Sequence, residues 1–433
     1  MNTHSLFLIG MGSMALIIFA RVMTKGEKSF FLLILIALLF HLALLFFMQS
    51  DLGKFYDPNV TSSRFFNDGE AYSSNSFLIS ETLRGNAFNE SFFDKNPGIM
   101  IVSSEVVEAA RSARIIKPEA YEVGYITYFY AVIYAAYGYA PAFINFVNIS
   151  ANILTALMIF LIAKQHFSRI CAYCASTLFL FWPTIFFYST TKLKDPLILF
   201  ICYAILYLWF NIRSPKMAIP LTLLLLVALE LLRDKFSIIF IPIILAFFWL
   251  KMSPRFKIVS SLVFLPVLVI KQNIFLTLFL NCLREFANRH VGFINSGGIT
   301  YSLLTRNPDY MSYGFKEWII YFVKGWYHLI FEPLFATGSS PSFILFYPFK
   351  IIFVCLFVFS IFGVIIKLRK KKGRDFLLIS FCLVFGTIFA LSEANTGTML
   401  RHRDLIAPII FIYGTYFLST YLSNTVGLHK SLR

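Results

Sequence analysis

Long, mostly apolar stretches recur from one end of this 433-residue chain to the other, and several of them reach 16 to 22 residues. An α-helix of about 20 apolar residues is long enough to cross the hydrocarbon layer of a membrane, which is about 30 Å thick. Charged residues make up only 14% of the chain, far below the roughly 25% of soluble globular proteins. This composition excludes a soluble enzyme, a disordered protein and a secreted disulfide scaffold, and it predicts an all-α polytopic membrane protein.

Eleven segments have the length and apolarity of membrane-spanning helices. Their approximate bounds are 5–22, 30–48, 142–163, 170–190, 196–211, 218–232, 236–250, 258–279, 347–366, 376–391 and 405–422. No internal repeat or Gly/Ser-rich linker divides the chain, so residues 1–433 are predicted to form a single membrane domain. Two long segments between spans, 49–141 and 280–346, are predicted to be outer loops that carry interfacial helices.

The formal net charge of +16 is distributed unevenly along the chain. The short connections on one side, which include 21–28, 251–257 and 367–374, hold the whole excess of positive charge, and the rest of the chain is neutral. Basic residues concentrate in cytoplasmic loops. We therefore expect an outward-facing N-terminus and a cytoplasmic C-terminus in a bacterial inner membrane. This topology also explains the charge without a nucleic-acid partner.

Two carboxylates, Asp68 and Glu70, stand in the first outer loop, at the predicted start of a short amphipathic helix that ends near Gly85. Paired carboxylates can bind a divalent metal, or one can act as a general base while the other orients it. Capping of the predicted helix by Asp68 is the alternative. An aromatic, uncharged stretch at 125–138 is too short for a span and is predicted to be a helix at the membrane interface.

A short outer turn, 190–196, combines two cations with a carboxylate: Lys192, Lys194 and Asp195. Positive charges are uncommon on the outer side, and these lysines are well placed to bind an anionic headgroup or to stabilise a leaving phosphate. Asp195 followed by Pro196 is also a good helix start, which is the alternative explanation of this carboxylate.

A second basic cluster, Arg401, His402 and Arg403, precedes the last predicted span. Because arginine binds phosphate in a bidentate way, both arginines are candidate phosphate ligands; an interfacial ion pair of Arg403 with Asp404 is the alternative. His402 is a further candidate for substrate binding, although a single histidine is more often a packing residue. Lys271 interrupts the eighth predicted span, where a charge is either functional or reaches the interface by extending its side chain.

The order of these features resembles that of the GT-C fold membrane glycosyltransferases, of the protein O-mannosyltransferase and lipid A aminoarabinose transferase kind. The matching stretch is about residues 65–212. The residues that carry the resemblance are Asp68, Tyr72, Gly85, Pro118, Gly124, Tyr125, Gly138, Asp195 and Pro196. The acidic residue that the family places directly after the first Asp is replaced by Gly69, and Glu70 follows one place later.

The resemblance implies a polyprenyl-phosphate-linked sugar as the donor and a glycan, lipid or protein as the acceptor. It also implies that Asp68 and Asp195 lie near one another at an outer cavity. One of them would be catalytic, and both would be placed to reach a divalent metal such as Mg²⁺ or Mn²⁺. Tyr72, which belongs to the same motif, is a candidate substrate-binding residue.

Three functions are compatible with this sequence. In an inverting glycosyltransferase, Asp68 is the base and the lysines of the 190–196 turn, with Arg401 or Arg403, stabilise the leaving phosphate. A Wzy-like polymerase or O-antigen ligase uses a polyprenyl-diphosphate glycan and depends on outer Arg and His residues instead. A lipid-linked sugar flippase or transporter is the third, although such proteins often show inverted repeats that this sequence lacks.

Overall fold

The computed structural model consists of α-helices joined by turns, with no sheet, in the residues that it describes: 3–49, 62–85, 125–211, 215–233, 235–251, 258, 260, 262, 271–295, 301–304, 309–332, 347–369 and 375–425. The α-helices are α1 (Thr3–Met23), α2 (Lys28–Gln49), α3 (Ser62–Leu83), α4 (Ile126–Tyr137), α5 (Pro141–His166), α6 (Arg169–Leu180), α7 (Pro183–Ser189), α8 (Asp195–Asn211), α9 (Pro215–Leu232), α10 (Phe236–Lys251), α11 (Gln272–Asn295), α12 (Phe315–Phe331), α13 (Tyr347–Arg369), α14 (Asp375–Ser392) and α15 (Thr396–Thr425). The predicted all-α architecture is confirmed.

Six helices in the described part of the chain are long and apolar enough to cross a membrane: α1, α2, α5, α13, α14 and α15. The bent pair α6 and α7 raises the number to seven if it forms one span. Helices α8, α9 and α10 coincide with predicted spans, but their apolar stretches are shorter than those of the six helices above. Most of the predicted span 258–279 lies outside the described residues. The predicted total of eleven is therefore not confirmed. Large apolar side chains such as Phe7 and Leu224 are exposed on these helices, as expected of an integral membrane protein.

Helix α3 differs from its prediction at the end that carries the candidate carboxylates. It begins at Ser62 rather than at Asp68, which lies in its second turn. A capping side chain must precede the first helical turn, so the alternative that Asp68 caps this helix is wrong. The other end agrees with the prediction, because the helix ends at Leu83 and Gly85 has a φ of +77°, a conformation that glycine adopts without strain.

Helix α4 confirms the helix predicted at 125–138, and its place at the membrane interface remains a prediction. It ends at Gly138, whose φ of +80° stops the helix and whose N–H donates to the Tyr134 carbonyl at 2.8 Å. Its twelve residues rise about 18 Å at 1.5 Å per residue, well short of the hydrocarbon thickness. Length and glycine placement were therefore sufficient to predict this element.

The chain forms two compact units, Met1–Met158 with Ile185–Phe236 and Ile159–Thr184 with Ser237–Arg433. In the first unit α3 packs along α4, and Phe77, Tyr130 and Tyr134 are almost completely buried between them. Arg84, at the end of α3, donates from Nη2 to the carbonyls of Tyr134 and Ala135, at 2.7 and 2.8 Å. These carbonyls belong to the last turn of α4, so the guanidinium joins α3 and α4 at one end.

In the second unit, α13 and α14 pack against α15, while α11 and α12 pack against α14. The Tyr321 hydroxyl of α12 donates to the Leu391 carbonyl at 2.7 Å. On α11, Nδ1 of the buried His290 donates to the Glu393 carbonyl at 2.5 Å, and its Nε2 accepts from the Leu303 N–H at 3.0 Å. The described part of the predicted outer segment 280–346 is thus joined to the end of α14 and to the residues that follow it by hydrogen bonds.

Candidate active site

In the first unit, α3 touches the lysine-bearing turn 190–194 through a residue without a side chain. A Cβ built on Gly69 would lie 3.3 Å from the carbonyl carbon of Lys192 and 3.5 Å from the Leu193 nitrogen. The helix backbone therefore rests directly on the Lys192–Leu193 peptide. A side chain at position 69 would meet this peptide.

The structure gives the backbone of Asp68 and Glu70, which flank Gly69 on α3, but it does not describe their side chains. Asp68 and Tyr72 are four residues apart, so they share one face of the helix. Their motif and the lysine-bearing turn are far apart in the sequence, and Gly69 brings the two backbones into contact. The roles of Asp68 and Glu70 remain predictions.

Three consecutive carbonyls of the turn are bound by two side chains. Nδ2 of Asn148, on α5, donates to the Thr191 carbonyl at 2.6 Å and to the Leu193 carbonyl at 2.7 Å. The Tyr130 hydroxyl, on α4, donates to the Lys192 carbonyl between them at 3.3 Å. Both side chains are completely buried. Burial raises the pKa of Tyr130 well above its ordinary range, so the hydroxyl keeps the proton that it donates.

Asp195 is the first residue of α8, and its side chain forms an ion pair with Arg233. Its Oδ1 lies 3.6 Å from Nη1 of Arg233, which follows α9, and both side chains are about one-fifth to one-quarter exposed. The guanidinium also lies over the Phe236 ring, 4.8 Å from its centroid. A carboxylate at the first turn of a helix is stabilised by the helix dipole, so the helix-start alternative holds alongside any catalytic role.

The two lysines of the turn have different surroundings. Lys192 is 8% exposed, whereas Lys194 is partly exposed. Nζ of Lys194 lies 5.8 Å from the ring centroid of Tyr72 on α3. The predicted cationic residue Lys194 and the predicted substrate-binding residue Tyr72 are therefore neighbours in the first unit.

The second basic cluster lies in the second unit. Nη1 of the buried Arg403 donates to the Glu332 carbonyl at 2.8 Å, and its guanidinium lies 4.6 Å from the centroid of the Phe353 ring. Arg401 is partly buried, and its Nη2 lies 3.4 Å from Oγ1 of Thr398. Arg401 is thus more accessible than Arg403.

Two other candidates in this unit have contrasting surroundings. Nδ1 of His402 lies 2.7 Å from Oε1 of Glu393, and its ring stacks on Phe389 at a centroid distance of 4.5 Å. Both partners of this pair are buried. Lys271 is exposed at the start of α11. Substrate binding by His402 and Lys271 remains a prediction.

The described residues around Asp195 do not fit a divalent metal. A metal needs several oxygen or nitrogen donors, whereas the Asp195 carboxylate lies against the cation of Arg233. Within the described ranges, no group of three His, Cys, Asp or Glu side chains is arranged as a metal site. The mechanism proposed below therefore contains no step through a metal.

Four residues of this site were not identified as site residues from the sequence: Gly69, Tyr130, Asn148 and Arg233. In the sequence, Gly69 stands out only as a departure from the motif that the chain resembles, and Arg233 is one charge directly after the predicted span 218–232. Tyr130 and Asn148 lie in apolar helical stretches. A buried asparagine within a span is the kind of signal that could have drawn attention to Asn148, because an unpaired amide in a membrane is costly.

No family model matches this chain, and a search of the curated proteins finds no match. Among solved structures, the chain is similar to the archaeal oligosaccharyltransferase AglB from Archaeoglobus fulgidus in complex with an inhibitory peptide and a dolichol-phosphate, with a TM-score of 0.42 and 16% identity over 71% of this chain and 43% of that one. It is also similar to the Archaeoglobus fulgidus oligosaccharyltransferase in the apo form, with a TM-score of 0.46 and 15% identity over 94% and 52%. The chain thus spans about half the length of these structures.

Proposed function

We propose that this protein is a membrane glycosyltransferase that moves a sugar from a polyprenyl-phosphate carrier to an acceptor hydroxyl at the outer face of the membrane. The observation that carries the proposal is the packing of Gly69 on the Lys192–Leu193 peptide. It joins the backbone of an acid-bearing helix to a lysine-bearing turn. Displacement of a phosphate from a sugar requires this combination of a base and preplaced cations.

In the proposed reaction, Asp68 accepts the proton of the acceptor hydroxyl, and the oxygen attacks the anomeric carbon of the sugar. The new glycosidic bond forms as the bond from the anomeric carbon to the phosphate oxygen breaks, and the electron pair leaves with polyprenyl phosphate. Attack opposite the leaving group inverts the configuration. Lys192 and Lys194 stabilise the charge on the phosphate, while Asp195, paired with Arg233, orients the groups around it.

Apolar surface next to these cations supports a substrate with a hydrocarbon chain and a charged head. Tyr72, Leu197 and Leu232 are partly buried and pack against the apolar cluster between α3 and α4. The same tyrosine contacts Lys194. A polyprenyl phosphate has both parts, so its chain and its phosphate would each find a suitable surface in this unit.

The test is transfer by the full-length protein in proteoliposomes, with labelled polyprenyl-phosphate sugars and a membrane lipid and glycan extract as acceptor. Asp68→Asn is expected to abolish transfer, and Glu70→Gln to lower it less. Glu285→Gln is the matched control, because Glu285 is an exposed outer carboxylate in an ion pair with Arg289. Full transfer by correctly inserted Asp68→Asn would remove Asp68 as the base.

The other candidate functions predict different results in the same assay. Metal-independent activity that survives Asp68→Asn and is lost in Arg401→Ala would favour the polymerase or ligase with a polyprenyl-diphosphate donor. Movement of a labelled carrier across the bilayer without formation of a glycosidic bond would favour the flippase. Both outcomes contradict the proposed transferase.

A further inference from the structure

We infer that Asn148 and Tyr130 are positioning residues that set the course of the lysine-bearing turn 190–194 and thereby place its cations for the phosphate of the donor. This inference rests on the proposed function for its chemical consequence, but not for its structural part. Neither residue is assigned a direct contact with the substrate.

These two side chains bind three consecutive carbonyls of the turn. Carbonyl oxygens of Thr191, Lys192 and Leu193 accept hydrogen bonds in order from Asn148, Tyr130 and Asn148 again, at 2.6, 3.3 and 2.7 Å. Regular helices satisfy their own carbonyls, but this turn lies between α7 and α8 and lacks that pattern. Buried carbonyls outside helices need side-chain partners, so the two donors determine which way the turn faces.

The chemistry of the two side chains suits carbonyl acceptors. The amide of Asn148 has two N–H groups on one nitrogen, and each is directed at a different carbonyl. An aspartate of the same shape would place an acceptor against two acceptors. The tyrosine supplies one donor to the remaining carbonyl. The two side chains therefore supply one N–H or O–H donor for each of the three carbonyls. A residue that served only for packing would not need this match.

The turn also packs against α3. Gly69 packs against the Lys192–Leu193 peptide, so the turn is enclosed between α3 and the donors from α4 and α5. A shift of the turn in response to loss of the donors would change the distance between the Asp68 segment and both lysines. Geometry near the reacting atoms matters strongly, because small misplacements slow an enzyme greatly.

The helix α5 offers a matched control one turn farther along. Asn152 is buried like Asn148, but its Nδ2 lies 3.2 Å from Nε2 of His41 instead of binding a carbonyl of the turn. Replacing either asparagine by alanine removes a buried amide from the same helix. A general loss of stability would affect both variants alike, whereas a positioning role predicts an effect of Asn148 alone.

The experiment is hydrogen exchange of the full-length protein in detergent micelles, measured by mass spectrometry on peptides that cover 186–197. The amides of Thr190 and Thr191 donate to the carbonyls of Phe187 and Tyr188, so this segment has protected positions to report on. Asn148→Ala is expected to increase its exchange by about tenfold, and Asn152→Ala to leave it unchanged. Equal exchange in both variants would overturn the inference.

Undecaprenyl phosphate is the probe for the functional part, with its affinity measured by native mass spectrometry. We expect about tenfold weaker binding in Asn148→Ala, recovered in part by Asn148→Gln, which keeps both N–H donors. Raised exchange with unchanged affinity would overturn the positioning role. Failure of the unmodified protein to bind the probe would contradict the proposed function instead, and the exchange result would still decide whether the donors hold the turn.

If Asn148→Ala does not accumulate as a folded protein, Tyr130→Phe tests the same inference with a smaller change. It removes only the hydroxyl that binds the Lys192 carbonyl. Exchange in 186–197 is then expected to rise about threefold, with Tyr137→Phe, an exposed tyrosine of the same helix, as the control. No difference between these two variants would overturn the inference.

Discussion

Asp195, the first residue of α8, lies 3.6 Å from Arg233 at the end of α9, so the candidate carboxylate of the turn has a cation beside it. The pair is partly exposed, and such pairs contribute little to stability. We therefore expect the pair to act on the orientation and charge of the site rather than on stability. The same guanidinium lies over Phe236, which restricts its position further.

Removal of this cation is expected to affect transfer more than stability. Arg233→Gln leaves the Asp195 carboxylate without its cation, and we expect about tenfold slower transfer with less than about 1 kcal/mol loss of stability. Arg289→Gln is the matched control, since Arg289 forms an exposed ion pair with Glu285 on α11. Transfer assays and thermal unfolding in detergent measure both effects. Equal transfer by the two variants would contradict a role for the pair.

A methyl group at Gly69 should move the lysine-bearing turn. Because its Cβ would lie 3.3 Å from the Lys192 carbonyl carbon, Gly69→Ala needs a shift of a few tenths of an ångström. At Gly292 on α11, a Cβ meets nothing within 4 Å. Gly292→Ala should be stabilising by about 1 kcal/mol from helix propensity, and Gly69→Ala should lack this gain. Thermal unfolding compares the two, and an equal gain at both would show that the contact is loose.

The guanidinium of Arg84 should hold α3 and α4 together. It donates to the carbonyls of Tyr134 and Ala135 at the end of α4, and hydrogen bonds from a charged donor are stronger than neutral ones. Arg84→Ala is expected to destabilise the pair α3 and α4 by about 1–2 kcal/mol. Limited proteolysis and hydrogen exchange in α4 report the change. Arg284→Ala is the control, because the hydrogen bonds of Arg284 are long and exposed, and similar effects would refute the prediction.

Acid should weaken the second unit through His290. Burial lowers the pKa of His290 from 6.5 to about 4, against the opposing effect of the Glu393 carbonyl and carboxylate. His328, also near this ring, favours the neutral form. The unfolded chain therefore binds a proton between pH 6.5 and 4 that the folded chain excludes.

The sign of this effect is a loss of stability as the pH falls. The contribution is fully present above pH 6.5 and declines towards pH 4, by about 3 kcal/mol in total. His290→Gln should flatten this part of the stability curve, whereas His4→Gln, at an exposed site, should not. Chemical denaturation at several pH values makes the measurement. Parallel curves for the two variants would rule out His290 as the group responsible.

The long apolar stretches of the chain were sufficient to predict its helical architecture, because the backbone of such a segment satisfies its own hydrogen bonds in a membrane by forming a helix. It also predicted α4 and the position of Gly138, where glycine ends the helix by its positive φ. The predicted start of α3 at Asp68 was wrong, because the helix begins at Ser62. Candidate helix-start residues are frequent in a polar segment, and packing rather than the local sequence determines which one is used.

Only the tertiary structure revealed what surrounds the lysine-bearing turn. Gly69, Asn148 and Arg233 are far from one another in the chain, and their partners depend on how four helices meet. A pattern of residue types indicates which side chains can form hydrogen bonds or ion pairs, since hydrogen bonding and charge are properties of single side chains. Which carbonyl or carboxylate each group meets depends on distances of a few ångströms across separate helices, and the order of residues along a chain does not contain those distances.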